Sequence, residues 1–229
     1  IIILCFGFFI ALTVLFIGYQ DIPIEQLKKK YTDPYSSFVR VGEMDVHYRD
    51  QGKKTDSIPI ILIHGTASSL HTYDGWTSEL IKNHRVVRMD LPGYGLTGPF
   101  PNRDYSYKNY VAFLKDFLES IAVKKCILAG SSLGGNIAWR FTIENSDMVT
   151  KLILIDAAGY PLKSKSVPLA FKLAQVPIVQ NIVTFISPRF IAKSSVKNVY
   201  YDKTKVTEEL VDRYFELTLR KGNRQAIVD

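Results

Sequence analysis

The chain has 229 residues, 47% of them apolar and 12% aromatic, which is enough for one packed domain with an appendage and excludes a disordered or low-complexity protein. Its net charge of +7 is local. Six basic residues (Lys163, Lys165, Lys172, Arg189, Lys193, Lys197) stand between 157 and 201 with no acidic one, while the remainder is nearly neutral. Two cysteines, Cys5 and Cys126, offer neither a disulfide framework nor a zinc site, and the basic stretch, interleaved with aliphatics and lacking a reading motif, predicts no nucleic-acid partner.

Residues 1–20 carry no charge and are mostly Ile, Leu, Phe and Val. Twenty helical residues span about 30 Å, the thickness of a bilayer's hydrocarbon core. A cleaved signal peptide is the alternative, but its apolar stretch is shorter and Gly18-Tyr19-Gln20-Asp21 is a poor cleavage site. The reading adopted is a single-pass N-terminal membrane anchor, with Tyr19 at the interface and Lys28 to Lys30 within reach of headgroups. Residues 21–35 read as a polar tether. Residues 37–40 and 44–49 predict two strands around a Val41-Gly42-Glu43 turn, and 59–63 a strand buried on both faces. A helix is expected over 71–82, a strand over 85–89, a helix over 105–121, a strand over 126–129, a helix over 133–144 and a strand over 152–155. That alternation implies a mostly parallel sheet with crossover helices and ligands at the strands' carboxyl ends.

The sharpest motif lies at such an end. Gly130-Ser131-Ser132-Leu133-Gly134 is a G-x-S-x-G pattern between a strand and a helix, which makes Ser132 the expected nucleophile on a turn too tight for bulky neighbours. Acyl transfer needs two N–H donors for a developing oxyanion, and these positions fall on Leu133 and, in His64-Gly65-Thr66-Ala67-Ser68, on Thr66. His64 is read as a brace for that loop in preference to a base.

With Asp90-Leu91-Pro92-Gly93-Tyr94-Gly95 and Leu152 to Gly159, these motifs in order resemble the α/β-hydrolase superfamily, in particular its bacterial lipase, esterase and C–C-bond hydrolase branch. The resemblance covers residues 36–160 closely. It implies an α/β-hydrolase fold with a helical cap. Serine at the elbow separates the chain from the dehalogenases and epoxide hydrolases, which the resemblance says carry Asp there. It also implies a triad in the order Ser, acid, His, yet His47, His64, His71 and His84 all precede Ser132. Family members continue with two further strands bearing the acid and the His. A chain that starts without Met and stops at Asp229 is expected to be a fragment without them. Asp156 occupies a place where some relatives carry the acid, although a capping or loop-fixing carboxylate is the preferred reading, and Asp90 is read as bracing its turn.

The expected organisation is an anchor over 1–20, a tether over 21–35, a hydrolase core over 36–159 and a cap over 160–229, whose apolar and basic residues could also rest on an anionic membrane. The functional reading is a serine hydrolase of carboxylic esters with lipid-like or medium-chain acyl groups, without cofactor or metal. A C–C-bond hydrolase with the same triad and a non-catalytic binding protein of this fold are the alternatives.

Overall fold

The computed structural model describes residues 20–160 and 188–229. The expected anchor therefore lies outside the described residues apart from Gln20, as do Lys163, Lys165 and Lys172 of the expected cap. Among the described residues no helix is long and apolar enough to cross a membrane.

Six strands form one mixed sheet in the order β1-β2-β4-β3-β5-β6. They are β1 (Ser36–Val41), β2 (Met44–Gly52), β3 (Ile60–Ile63), β4 (Arg85–Met89), β5 (Cys126–Ser131) and β6 (Val149–Ile155). The first two run antiparallel and the other four are mutually parallel. The continuous apolar run of β3 is buried at every residue because both of its faces are covered. Ile61 and Ile63, with Val87 and Met89, pack under helices α3 (Tyr107–Ser120) and α4 (Leu133–Glu144) through Tyr110, Leu114, Phe117, Ile137 and Phe141. Ile60, Leu62 and Val86 pack on the other face against Tyr73. Strand β6 carries a similar apolar run at the sheet's edge, with Ile153 and Leu154 41% and 48% exposed.

The expected 71–82 helix divides into a 3₁₀ turn over Leu70–Tyr73 and α2 over Asp74–Leu80. A tertiary contact starts it: the Leu70 N–H donates to Asp90 Oδ1 at 2.7 Å. The stretch expected as a polar tether is instead partly helical. Helix α1 (Ile24–Tyr31) buries Leu27 and Tyr31, one turn apart, in a cluster with Leu96 and Leu217. Its partner is α6 (Glu208–Thr218), so the sequence around Leu27 gives no sign of what covers it. Tyr31 Oη donates to Glu216 at 2.7 Å, and the Ile22 N–H donates to the Leu219 carbonyl at 2.9 Å.

Helix α5 (Arg189–Val199) precedes α6, and α7 (Asn223–Val228) follows it. Part of the basic stretch is paired within the fold. Arg189 binds Asp212 at 2.6 Å and Glu208 at 2.7 Å, and Lys193 also pairs with Glu208. Two of the three described cations of the basic stretch thus face acids of the next helix, which the folding of the chain brings against them.

The second face of the sheet turns polar at β2 and β4. Their register sets Arg49 opposite Arg88, a pairing of like charges that needs compensation. Asp74 at the start of α2 supplies it, 2.5 Å from Arg88 and 3.4 Å from Arg49, with Asp33 3.2 Å from Arg49. Both arginines are buried, whereas the Asp74 side chain is 46% exposed. Asp74→Ala should therefore lower stability by about 2–3 kcal/mol, less than the 3–5 typical of breaking a fully buried pair. Urea unfolding of the variant measures this, and an unchanged midpoint would show that Asp33 on Arg49 and Gln51, which accepts from Arg88 at 3.0 Å, suffice.

His71 lies beside this cluster, with Nδ1 3.1 Å from Ser69 Oγ and Nε2 3.1 Å from both the Tyr31 carbonyl and Arg49. Burial lowers its pKa to about 4, outweighing the attraction of Asp90, and Arg49 adds to the lowering. A histidine held below its unfolded value takes up its proton first in the unfolded chain, so stability falls as pH drops from about 6.5 to about 4 and the effect then levels off. His71→Gln should flatten part of that slope in urea midpoints measured across this range. An unaltered slope would assign the acid sensitivity to other groups.

Candidate active site

Strand β5 ends at Ser131 and α4 begins at Leu133, so Ser132 must turn the chain in one residue. It does so at φ 51° and ψ −115°, a conformation that costs a non-glycine residue on the order of 1–3 kcal/mol. Three backbone hydrogen bonds hold it there. The Ser132 N–H donates to the Ile155 carbonyl at 3.1 Å, and the Ser132 carbonyl accepts from the N–H groups of Asn136 and Ala158, both at 3.0 Å. The side chain is exposed at the N-terminus of a twelve-residue helix, where the aligned peptide dipoles favour negative charge.

Two glycines make this approach possible. A Cβ on Gly134 would stand 2.2 Å from the Ile63 carbonyl oxygen, so only glycine lets α4 lie on the end of β3. A Cβ on Gly65 would meet Ser132 Cβ at 3.1 Å and Oγ at 3.7 Å, which puts the loop after β3 directly beside the serine. Thr66 follows Gly65 in that loop, and Leu133 follows Ser132. Among the described residues no hydrogen bond engages the N–H of either.

His64 is fully buried and both ring nitrogens are occupied. The Leu91 N–H donates to Nε2 at 3.0 Å, which places the ring proton on Nδ1, 2.7 Å from the Gly65 carbonyl. Burial lowers its pKa, and the ring joins the β3 and β4 loops. Asp90, also fully buried, accepts from the Leu70 N–H, from the Leu96 N–H at 2.8 Å and from His47 Nδ1 at 2.7 Å. Burial pushes its carboxyl up, but the charge and hydrogen bond of His47 prevail and hold it well below the usual range. Asp90 therefore fixes both flanking loops as an anion. His84 lies at the start of β4, 3.6 Å from Asp56. No histidine is hydrogen-bonded to Ser132 among the described residues, which include all four.

Asp156 follows β6 at φ 43°, one residue beyond the carbonyl that holds Ser132. Its carboxylate is exposed and makes no hydrogen bond among the described residues. The loop it belongs to is fixed by its neighbours: Trp139 Nε1 donates to the Ala158 carbonyl at 3.1 Å, and Ala157 packs against Gly135. Among the described residues these neighbours, and not the Asp156 side chain, make the contacts that hold the loop. The sequence reading also missed Tyr94 and Tyr214. Tyr94 is buried beside the His64 ring, and Ser68 Oγ lies 3.2 Å from Tyr214 Oη on α6. The Pro-Gly-Tyr-Gly motif signals the first, whereas nothing local signals the second.

Comparison with known proteins agrees with this architecture. A family model described as the alpha/beta hydrolase fold matches residues 58–192. The uncharacterized hydrolase YugF of Bacillus subtilis is 27% identical over 172 residues, which cover 73% of this chain and 59% of that protein. The 2-hydroxy-6-oxo-6-(2'-aminophenyl)hexa-2,4-dienoic acid hydrolase of Metapseudomonas resinovorans is 29% identical over 140 residues, or 59% of this chain and 47% of the relative. The crystal structure of the Cif epoxide hydrolase from Acinetobacter nosocomialis superposes with a TM-score of 0.73 at 21% identity, covering 92% of this chain and 73% of that one. A sheet of this order, a serine elbow between β5 and α4 and a family match across more than half of its residues establish that the chain belongs to the α/β-hydrolase fold family.

Proposed function

We propose that this hydrolase cleaves carboxylic esters through an acyl-enzyme formed on Ser132. The observation that carries the reading is the Ser132 turn, which presents a hydroxyl at a helix N-terminus beside the Gly65 loop, with the N–H groups of Thr66 and Leu133 unengaged among the described residues. Ser132 Oγ adds to the ester carbonyl while its proton passes to a histidine. The two N–H groups receive the oxyanion of the tetrahedral intermediate. Collapse expels the alcohol, which takes the proton from the imidazolium, and water then releases the acid by the same two steps. None of His47, His64, His71 and His84 is hydrogen-bonded to Ser132 among the described residues, so none of them is assigned this role. The chain spans 59% and 47% of the lengths of the two curated relatives described above.

An apolar stretch over residues 1–20 as a membrane anchor favours lipid-like or medium-chain acyl substrates. The second reading is hydrolysis of a carbon–carbon bond beside a ketone, favoured by the similarity to the dienoic acid hydrolase. Epoxide opening is disfavoured by serine, in place of aspartate, at the elbow.

In the full-length protein a fluorophosphonate probe should label Ser132, and Ser132→Ala should abolish labelling and ester turnover together. Labelling that survived the substitution would move the nucleophile to another serine, Ser131 first. Asp156 is proposed as a bystander in the chemistry. Asp156→Asn should reduce turnover by far less than the roughly 10⁴-fold that follows neutralising a triad acid, as steady-state kinetics would show. A loss of that size in a folded variant would make Asp156 the acid.

A further inference from the structure

The loop bearing Thr66 is shaped by few bonds of its own. Ala67 sits at φ 55°, an unfavourable conformation for a residue with a side chain. The loop is pinned before this point by His64 and after it by the Leu70 N–H on Asp90. Between those pins Ser68 reaches outward. Its hydroxyl donates to Tyr214 Oη at 3.2 Å and accepts from Thr72 Oγ1, to which it lies closer still. Ala67, Ser68 and Tyr94 share with Tyr214 and Thr218 of α6 a cavity of only about 10 Å³, room for a single water at most. The loop and the helix therefore meet with almost no slack.

Tyr214 is itself held. One residue from it Arg213 lies 3.7 Å from Asp74, two residues on Glu216 accepts from Tyr31 Oη, and three residues on Leu217 is buried against Leu27. On the opposite side Arg189 grips Asp212. Its hydroxyl thus comes from an element fixed by α1, α2 and α5.

We infer that Tyr214 is a positioning residue for the loop that carries Thr66, so that the placement of α6 sets the geometry in which the Thr66 N–H meets the oxyanion. This rests on the proposed acyl-enzyme reading only for its catalytic consequence. The hydroxyl pair Ser68–Tyr214 fixes the loop whether or not an ester is cleaved.

Tyr214→Phe and Ser68→Ala in the full-length protein each remove one partner of the same bond. Each should speed amide hydrogen exchange in peptides spanning residues 64–73 and slow fluorophosphonate labelling of Ser132 about tenfold, as expected when a donor is displaced and not lost. KM for a soluble short-chain ester should stay constant while kcat falls. The double variant should be no slower than Ser68→Ala alone, which removes the Thr72 bond as well. Unchanged exchange, additive losses, or a raised KM at constant kcat would each overturn the inference, the last by making Tyr214 a substrate contact. Exchange is read on the loop itself and decides whether Tyr214 positions it. Failure of the wild-type protein to label at Ser132 would instead overturn the serine-hydrolase reading.

Discussion

A serine at φ 51° and ψ −115° does not hold that conformation unaided, and the structure around Ser132 is arranged to impose it. The Ile155 carbonyl takes its N–H, while the N–H groups of Asn136 and Ala158 take its carbonyl. The conformation therefore depends on β6 lying beside β5 in a register that pairs Ser131 with Ile155, and on α4 starting at the next residue. Each of those hydrogen bonds contributes on the order of 1 kcal/mol, enough together to offset the strain. Without the Gly134 contact at Ile63 the helix could not start so close to the sheet, and the elbow would open.

The neighbouring loops are fixed by buried polar groups that have complete sets of partners. Asp90 keeps its charge inside the protein because His47 and two backbone N–H groups surround it, and the loops after β3 and β4 then share one anion. His64 contributes a second link between the same loops through Leu91 and Gly65. Satisfied groups of this kind rigidify a site, whereas a single missing partner would leave a charge or a dipole uncompensated. They hold the loop that carries Thr66, whose N–H no hydrogen bond engages among the described residues.

A third layer acts from a distance. Helix α1 packs on α6, and α6 presents Tyr214 to the loop. The segment that follows the apolar N-terminal stretch is accordingly built into the domain through Leu27, Tyr31 and Glu216. The same helix absorbs the charges of Arg189 and Lys193, leaving the described part of the basic stretch largely paired.

The sequence by itself determined the sheet's parallel half, the order of its motifs and the elbow. Continuous apolar runs at 60–63 and 85–89, helical spacing over 107–120 and glycines around Ser132 are local patterns with local causes. Only the tertiary structure decided the rest. The helix at 24–31 is stabilised by Leu217, some 190 residues away, and two cations pair with acids on the next helix. Both ring nitrogens of His64 are taken by bonds to two different loops, and Asp156 makes no hydrogen bond among the described residues. In each case a group's chemistry is set by a partner far along the chain, and periodicity carries no information about which distant residue will arrive there.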